Sequence, residues 1–309
     1  KYVETERYLA EKEAGRALFG RYRNPFTDDP SVKGKDRTVA NTTPVWHGHR
    51  LFMTKEDGRG YEVNPHTLAT EGRWDYGGKL KSETFTAHPR IDAQTGEMFF
   101  FGYEAGGLCS LDVAYCIADK DGELVKEQWF DQPYCSTIHD FVITENYAIF
   151  PLFPTLADLD RIKAGGAHWA HHQDLPSYLG IMPRYGDVSE MTWIKGPIGV
   201  SCFHEVNAFE DGDTVHVDLC LTNTNAFQFM REAGGVKGRR AAEGRALDGG
   251  RGAALGTGLP PRPAARRHRR AGRRWQTRPS PSTGLRPCRA LLPRPRRRPP
   301  PAAAAFSAP

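Results

Sequence analysis

The fold is predicted from one stretch, Thr137-Ile138-His139-Asp140-Phe141-Val142-Ile143-Thr144-Glu145-Asn146-Tyr147. In this stretch a histidine precedes an apolar run rich in β-branched residues, and the pair Glu145-Asn146 closes the run with a turn signal. A strand, a tight turn and a second strand are therefore expected in succession. The stretch thus predicts a histidine at the entrance of an antiparallel strand pair.

The same local order occurs at two other histidines. They are His88, before the turn Gln94-Thr95-Gly96 and the apolar Met98–Phe101, and His204, before the turn Asp211-Gly212-Asp213 and Val215–Val217. The intervals between the three histidines are 51 and 65 residues. Repeats of this length built from short antiparallel strands suit the blades of a β-propeller better than a sandwich.

The second interval is longer because it contains Leu156–Gly180, which reads as a polar insertion. The insertion holds His168, His171 and His172 next to Gly165-Gly166. With no further ligand nearby, this segment predicts a surface or substrate-entrance loop rather than a second metal site.

Composition divides the chain after Gly235. The 74 residues 236–309 contain 18 Arg, 14 Ala, 12 Pro and 9 Gly, and their formal charge is +17. Since the whole chain carries +5, residues 1–235 carry −12, and this acidic body argues against a nucleic-acid-binding protein. Residues 236–309 are expected to be disordered, because so few apolar groups cannot offset the entropy of ordering. The abrupt change favours an out-of-frame reading of a GC-rich gene over a genuine basic tail.

Cysteine usage and hydropathy bear on the compartment. Five of the six cysteines lie in residues 1–235 without a CxxC pair, which favours reduced, buried thiols and a cytoplasmic protein. No run approaches the roughly 20 apolar residues of a membrane span.

The three repeated histidines predict a metal site. One histidine at the start of the first strand of each blade would bring several imidazoles together at the propeller axis. A lone histidine is more often a core or surface residue, but equivalent positions for His88, His139 and His204 favour a shared ion. Imidazole ligands without a thiolate suit Fe(II), Zn(II), Cu(II) or Ni(II), and residue types do not choose among these ions.

Three stretches around these histidines resemble the iron-ligand motifs of the carotenoid cleavage oxygenase family. They are Phe85–Asp92 with Thr95-Gly96-Glu97, Ile138–Phe141 with Thr144–Tyr147, and Phe203–Glu210. The resemblance covers about residues 18–233 and implies an all-β, seven-bladed propeller with Fe(II) on its axis, held by four histidines. Enzymes of this family use O2 to split a carbon–carbon double bond into two carbonyl compounds.

Within the family, the chain is most similar to the lignostilbene-cleaving dioxygenase branch, through Arg21–Pro25, Lys55–Asp57 and Phe99–Ala105. The resemblance implies a small phenolic stilbene-type substrate whose 4-hydroxyl is bound by Tyr22 and Lys55. A hydroxyl and an ammonium are suitable donors to that oxygen, and a phenol polarised towards phenolate pushes electrons into the conjugated alkene. The implied products are two aromatic aldehydes. Without the resemblance, the two residues read as a packing aromatic and a solvated lysine.

Carboxylates near the histidines have different expected roles. Glu56 matches a family carboxylate that accepts a hydrogen bond from the second ring nitrogen of a ligand histidine, which fixes the tautomer. Asp140 and Glu205 each directly follow a predicted ligand. They are expected on the opposite face of an extended segment and are not assigned to the iron.

The chain departs from the family near its C-terminus. The fourth iron-binding histidine of the family lies there, and His268 does not replace it because no strand pattern surrounds it. The sequence therefore predicts a partial propeller dioxygenase domain over residues 1–235, a disordered segment over residues 236–309, and a chain that as written is poorly folded or inactive.

Three functions are open, and the motifs favour the first, an Fe(II)-dependent stilbene-cleaving dioxygenase with a homodimer as its expected assembly. An apocarotenoid-cleaving oxygenase is the second, and Lys55→Met should abolish cleavage of 4-hydroxystilbenes only under the first. The third is a basic-tailed binding protein, whose salt-sensitive nucleic-acid binding should disappear without residues 236–309.

Overall fold

The computed structural model describes residues 1–225, 231–232 and 287–293, and most of the regular structure in them is β. The chain begins with helix α1 (Glu6–Ala14), followed by 3-10 helices over Pro25–Thr27 and Pro30–Val32. The Thr5 hydroxyl caps α1 by accepting the backbone N–H of Tyr8. Gly15 ends the helix in the left-handed conformation, with φ of 62°.

The first sheet is an antiparallel meander of four strands. Its strands are β1 (Thr43–His47), β2 (Arg50–Thr54), β3 (Tyr61–Val63) and β4 (Thr70–Arg73). The connection between β1 and β2 is the two-residue turn Gly48-His49, and both residues have positive φ values, 54° and 61°. Two positive φ values are what a tight hairpin turn between right-twisted strands requires.

The second sheet repeats this meander, in the order β5-β6-β7-β8. Its strands are β5 (Arg90–Ile91), β6 (Met98–Tyr103), β7 (Asp112–Ala118) and β8 (Leu124–Asp131). Every residue of β6 is buried, because side chains of successive residues point to opposite faces and both faces are covered. Phe99, Phe101 and Tyr103 pack towards the third sheet, whereas Met98 and Phe100 pack towards the first.

The third sheet has the order β9-β10-β13-β14. In chain order, the elements of this region are β9 (Val142–Ile143), β10 (Tyr147–Leu152), β11 (Thr155–Ala157), α2 (Leu159–Lys163), β12 (Trp169–His171), β13 (Pro176–Pro183) and β14 (Thr192–Ile198). A further 3-10 helix covers Val188–Glu190. The insertion predicted as a surface loop is therefore structured, and its strand β12 is buried.

The fourth sheet consists of β15 (Glu205–Asp211), β16 (Thr214–Cys220) and β18 (Pro287–Pro293). A separate small sheet has the order β11-β12-β17, in which β17 (Arg231–Glu232) pairs in parallel with β12. Residues 287–293 pair antiparallel to β16, so this part of the segment predicted as disordered is a strand. The rest of residues 236–309 lies outside the described part of the chain, as does the predicted domain boundary at residue 235.

The four sheets pack side by side through separate apolar interiors, as blades do in a propeller. Phe101 and Phe150 belong to the interior between the second and third sheets, and Ile149 and Val215 to the next one. The repeat is confirmed, because His204, His88 and His139 lie one, two and three residues before the first strand of their respective sheets.

Two further observations concern the burial of the cysteines and the character of the helices. Cys116 and Cys135 are buried, but Cys220 is exposed at the end of β16, so the prediction of uniformly buried thiols is wrong. Across the described residues, no helix has both the length and the apolar character needed to pass through a bilayer.

Candidate metal centre

Three histidine side chains meet where the second, third and fourth sheets begin. Ring nitrogens of His88, His139 and His204 all lie within 4.8 Å of one another. The Nε2 atoms of His88 and His139 are 2.9 Å apart, and the ring centroids in the cluster are separated by 4.6 to 4.9 Å. The sheets pack side by side, so equivalent positions at their first strands converge.

The protonation of His88 suits a metal ligand. Burial, followed by the nearby charge of His139, lowers the pKa of His88 to about 4, although the Asp140 carboxylate opposes this. His88 is therefore neutral near pH 7 and offers a nitrogen lone pair. Three imidazole nitrogens without a thiolate fit a divalent first-row transition metal ion. The side chain of His204 is 52% exposed, so this side of the cluster faces solvent.

Glu56 lies against the histidine cluster, in the position that the resemblance implies. His139 donates from Nδ1 to Oε1 of Glu56, which leaves Nε2 directed towards His88. The Tyr103 hydroxyl donates to Oε2 of Glu56 at 3.0 Å. Burial alone would raise the pKa of Glu56, but the hydrogen bond and charge of His139 lower it below its usual value. The carboxylate is therefore ionised where it contacts the histidine.

Asp140 contacts the cluster, although the sequence places it on the opposite face. Its Oδ2 lies 3.5 Å from Nδ1 of His204, and its Oδ1 accepts from Arg90 Nη2 at 2.5 Å and from the Phe141 amide at 2.8 Å. The expectation for Asp140 is wrong because β9 begins only at Val142, so the alternation of a strand does not apply at residue 140.

The carboxyl group of Glu205 extends this cluster of charges. Burial and then the negative charge of Asp140 raise the pKa of Glu205 well above its usual value. A side-chain hydrogen bond with Asp140 acts in the same direction. The neighbouring Phe203 stacks on the ring of His139, with centroids 3.5 Å apart.

The predicted phenol-binding residues lie together next to Glu56. The ammonium of Lys55 lies 5.0 Å from the centroid of the Tyr22 ring. The Tyr22 hydroxyl donates to Oε2 of Glu56 at 3.4 Å. Although the side chain of Tyr22 is 41% exposed, its hydroxyl end is enclosed, and burial followed by the charge of Glu56 raises the pKa of Tyr22. The structure thus brings Tyr22, Lys55 and Glu56 into one group.

The loop that carries Tyr22 is anchored to the insertion of the third sheet. The side-chain amide of Asn24 donates to the backbone carbonyls of Ile162 and Gly166, at 2.9 and 2.7 Å. His168, expected on the surface, is buried and contacts both carboxylate oxygens of Glu104 at 3.0 Å. The sequence gives no sign of this contact, because its partners are 64 residues apart.

Among residues 1–225, the one group with metal-ligand geometry consists of the three repeated histidines. The insertion histidines His168, His171 and His172 do not belong to this group. His268, considered as a fourth ligand, lies outside the described residues.

Known proteins of similar sequence match most of this chain. The profile of the retinal pigment epithelial membrane protein family matches residues 1–269. Isoeugenol monooxygenase from Pseudomonas nitroreducens is 46% identical over 229 residues, which are 74% of this chain and 48% of that protein. Lignostilbene-alpha,beta-dioxygenase isozyme III from Sphingomonas paucimobilis is 41% identical over 238 residues, 76% of this chain and 49% of that protein. The chain spans about half the length of these curated relatives.

A solved structure of similar fold agrees with the family that these sequence matches indicate. The crystal structure of Pseudomonas brassicacearum lignostilbene dioxygenase superposes with a TM-score of 0.73 and 42% sequence identity, covering 75% of this chain and 48% of that one. The predicted propeller of the carotenoid oxygenase type is thereby confirmed. The chain belongs to the retinal pigment epithelial membrane protein family, that of the carotenoid oxygenases.

Proposed function

We propose that this chain is part of an Fe(II)-dependent oxygenase that cleaves the carbon–carbon double bond of a 4-hydroxyphenyl alkene with O2. The observation that carries the proposal is the convergence of three histidine nitrogens within 4.8 Å. The names of two relatives, isoeugenol monooxygenase and lignostilbene dioxygenase, supply the substrate class. Isoeugenol and lignostilbenes share a phenol hydroxyl conjugated through the ring with an alkene, and each alkene carbon would become a carbonyl carbon.

His88, His139 and His204 would hold the iron. Bound Fe(II) would supply the activation of O2. Glu56 accepts the Nδ1 proton of His139, so it fixes the tautomer that presents Nε2 to the ion. Asp140 would act in the same way on Nδ1 of His204, from its present distance of 3.5 Å.

Tyr22 and Lys55 would bind the phenol oxygen of the substrate. Tyr22 donates to Glu56 in the structure over a long 3.4 Å contact, so a substrate oxygen can compete for the same proton. The Lys55 ammonium, held over the Tyr22 ring, adds a positive charge next to that oxygen. Both groups stabilise negative charge on the oxygen and thereby raise the electron density of the conjugated double bond.

Although the sequence predicts an inactive chain, the three converging histidines lead us to expect that the chain, loaded anaerobically with Fe(II), converts trans-4-hydroxystilbene and O2 into 4-hydroxybenzaldehyde and benzaldehyde. Lys55→Met should lower kcat/KM about 10- to 100-fold rather than abolish cleavage, because the loss of one charged hydrogen-bond donor has an effect of that size. Chromatography of the aldehydes measures the rate, and isotope-labelled O2 shows whether both oxygen atoms enter the products.

The matched control is Lys79→Met, because Lys79 is an exposed lysine paired with Glu123 at the surface. It should leave the rate unchanged. Absence of cleavage by iron-loaded wild-type chain would contradict the proposal for this chain. Equal rates for wild type and Lys55→Met, together with cleavage of an apocarotenal, would instead favour the carotenoid-cleaving alternative.

Asp140→Asn is expected to weaken metal binding about 10- to 100-fold, which is typical of losing a carboxylate that orients a ligand histidine. An amide at this position removes the negative charge beside His204 and Arg90. Titration of the metal-free chain with Co(II), followed by its visible absorption, measures the affinity.

Asp121→Asn is the control for this measurement, since Asp121 pairs with Lys120 at the exposed tip of a turn. Urea unfolding of both variants separates a loss of metal affinity from a loss of fold. An unchanged Co(II) affinity in a folded Asp140→Asn chain would show that Asp140 does not orient His204.

A further inference from the structure

A buried arginine lies directly beside the proposed phenol site. The side chain of Arg23 is 7% exposed and forms an ion pair with Glu104. Its guanidinium carbon lies 4.9 Å from the Tyr103 ring centroid and 5.6 Å from that of Trp169. Arg23 also has φ of 52°, which for a residue with a side chain costs on the order of 1 kcal/mol. The contacts of the side chain therefore hold this backbone in place.

Glu104 and His168 hold Arg23 at two points, its guanidinium and its backbone carbonyl. The Glu104 carboxylate accepts from the Cys109 amide at 2.7 Å and from Nε2 of His168 at 3.0 Å. Nδ1 of His168 lies 2.9 Å from the backbone carbonyl of Arg23. The carbonyl and the carboxylate only accept hydrogen bonds, so the His168 ring is held between two acceptors.

The fixed charge of Arg23 reaches both functional parts of the site. It opposes the rise in the pKa of Tyr22 that burial and the charge of Glu56 cause. Tyr103 provides a direct link, because its ring packs on Arg23 while its hydroxyl donates to Glu56 at 3.0 Å. Nη1 of Arg23 is buried and has no hydrogen-bond partner among the described residues.

We infer that Arg23 is a positioning residue of the phenol site, one that holds Tyr22 and Glu56 in the arrangement that receives a substrate hydroxyl. The inference rests on the proposed function. Without the guanidinium, the Tyr22 hydroxyl loses the neighbouring cation that favours its hydrogen bond to an anionic oxygen. Tyr103 loses the group on which its ring packs, and this packing orients its hydroxyl towards Glu56.

Binding of two stilbenes to the full-length chain without added metal tests this inference. Fluorescence titration should show that wild type prefers trans-4-hydroxystilbene to trans-4-methoxystilbene. Arg23→Met should weaken binding of the hydroxystilbene about 10-fold, the effect of a lost charge-assisted contact, and should change binding of the methoxystilbene less than about 2-fold. Arg23→Lys, which restores the charge without the planar fork, should recover part of the preference.

Arg184→Met is the matched control, because Arg184 is equally buried, pairs with Asp92 and stacks on Phe99, away from the phenol site. A hydroxyl preference that survives in folded Arg23→Met, or that is lost equally in Arg184→Met, overturns the inference. A wild type without any preference overturns the proposed phenol site itself. If Arg23→Met does not fold, Glu104→Gln is the second variant, because it removes the negative charge that pairs with Arg23 and keeps the size of the side chain. It must also lower the preference for trans-4-hydroxystilbene over trans-4-methoxystilbene.

Discussion

Replacing His139 with alanine is expected to lower the affinity of the full-length chain for divalent metal ions by at least about 100-fold, more than the loss of a supporting carboxylate. His139 has contacts at both ring nitrogens, with Nε2 at 2.9 Å from Nε2 of His88 and Nδ1 bonded to Glu56. Its removal leaves two ligands and an ionised carboxylate without its donor. Titration with Co(II) and with Fe(II) under anaerobic conditions measures the loss.

His66→Ala provides the control, because His66 is exposed in the turn between β3 and β4 and contacts neither the cluster nor its carboxylates. This variant should bind metal as wild type does. Retention of wild-type affinity by a folded His139→Ala chain would place the ion elsewhere and remove the basis of the proposed iron site. Urea unfolding distinguishes that result from a general loss of structure.

Phe150→Ala should destabilise the chain by about 3 to 5 kcal/mol, the usual cost of removing a fully buried aromatic ring. Phe150 has no exposed surface, and its ring centroid lies 5.3 to 5.9 Å from those of four other rings. These are Phe101, Tyr115 and Phe130 of the second sheet and Phe141, which directly precedes β9 of the third. The cavity would therefore open the interior between the second and third sheets.

Equilibrium unfolding in urea, followed by tryptophan fluorescence, measures this change. Phe26→Ala is the matched aromatic control: Phe26 is 53% exposed, and its loss should change stability by less than about 0.5 kcal/mol. Similar unfolding midpoints for the two variants would show that the interior between these sheets does not carry the stability of the chain.

The sequence predicts those features that local order encodes. His88, His139 and His204 each precede a strand–turn–strand pattern, and this repetition is enough to predict both the sheets and the meeting of the three rings. The placement of Glu56 could be predicted only through the family resemblance, since nothing within Lys55–Asp57 points to a histidine 83 residues away.

Other parts of the site follow from packing that no local pattern reports. Asp140 reaches His204 because the chain around it is irregular, and alternation rules hold only in strands. The insertion around His168 looks polar in sequence, yet His168 is buried because the Arg23 carbonyl and the Glu104 carboxylate bond its ring nitrogens. Buried polar groups of this kind are partnered across long sequence distances, which a single sequence does not reveal.

The alternation of β6 has a consequence for which sequence changes this region can accept. Odd-numbered residues from Phe99 to Tyr103 fill one interior, and Met98 and Phe100 fill the other. Exchanging one apolar side chain for another alters a single compartment. Inserting or deleting one residue would move every following side chain of the strand to the opposite face and mismatch both compartments at once. In descendants of this gene, Met98–Phe101 can therefore exchange one apolar residue for another of similar volume, but the number of residues in the strand cannot change.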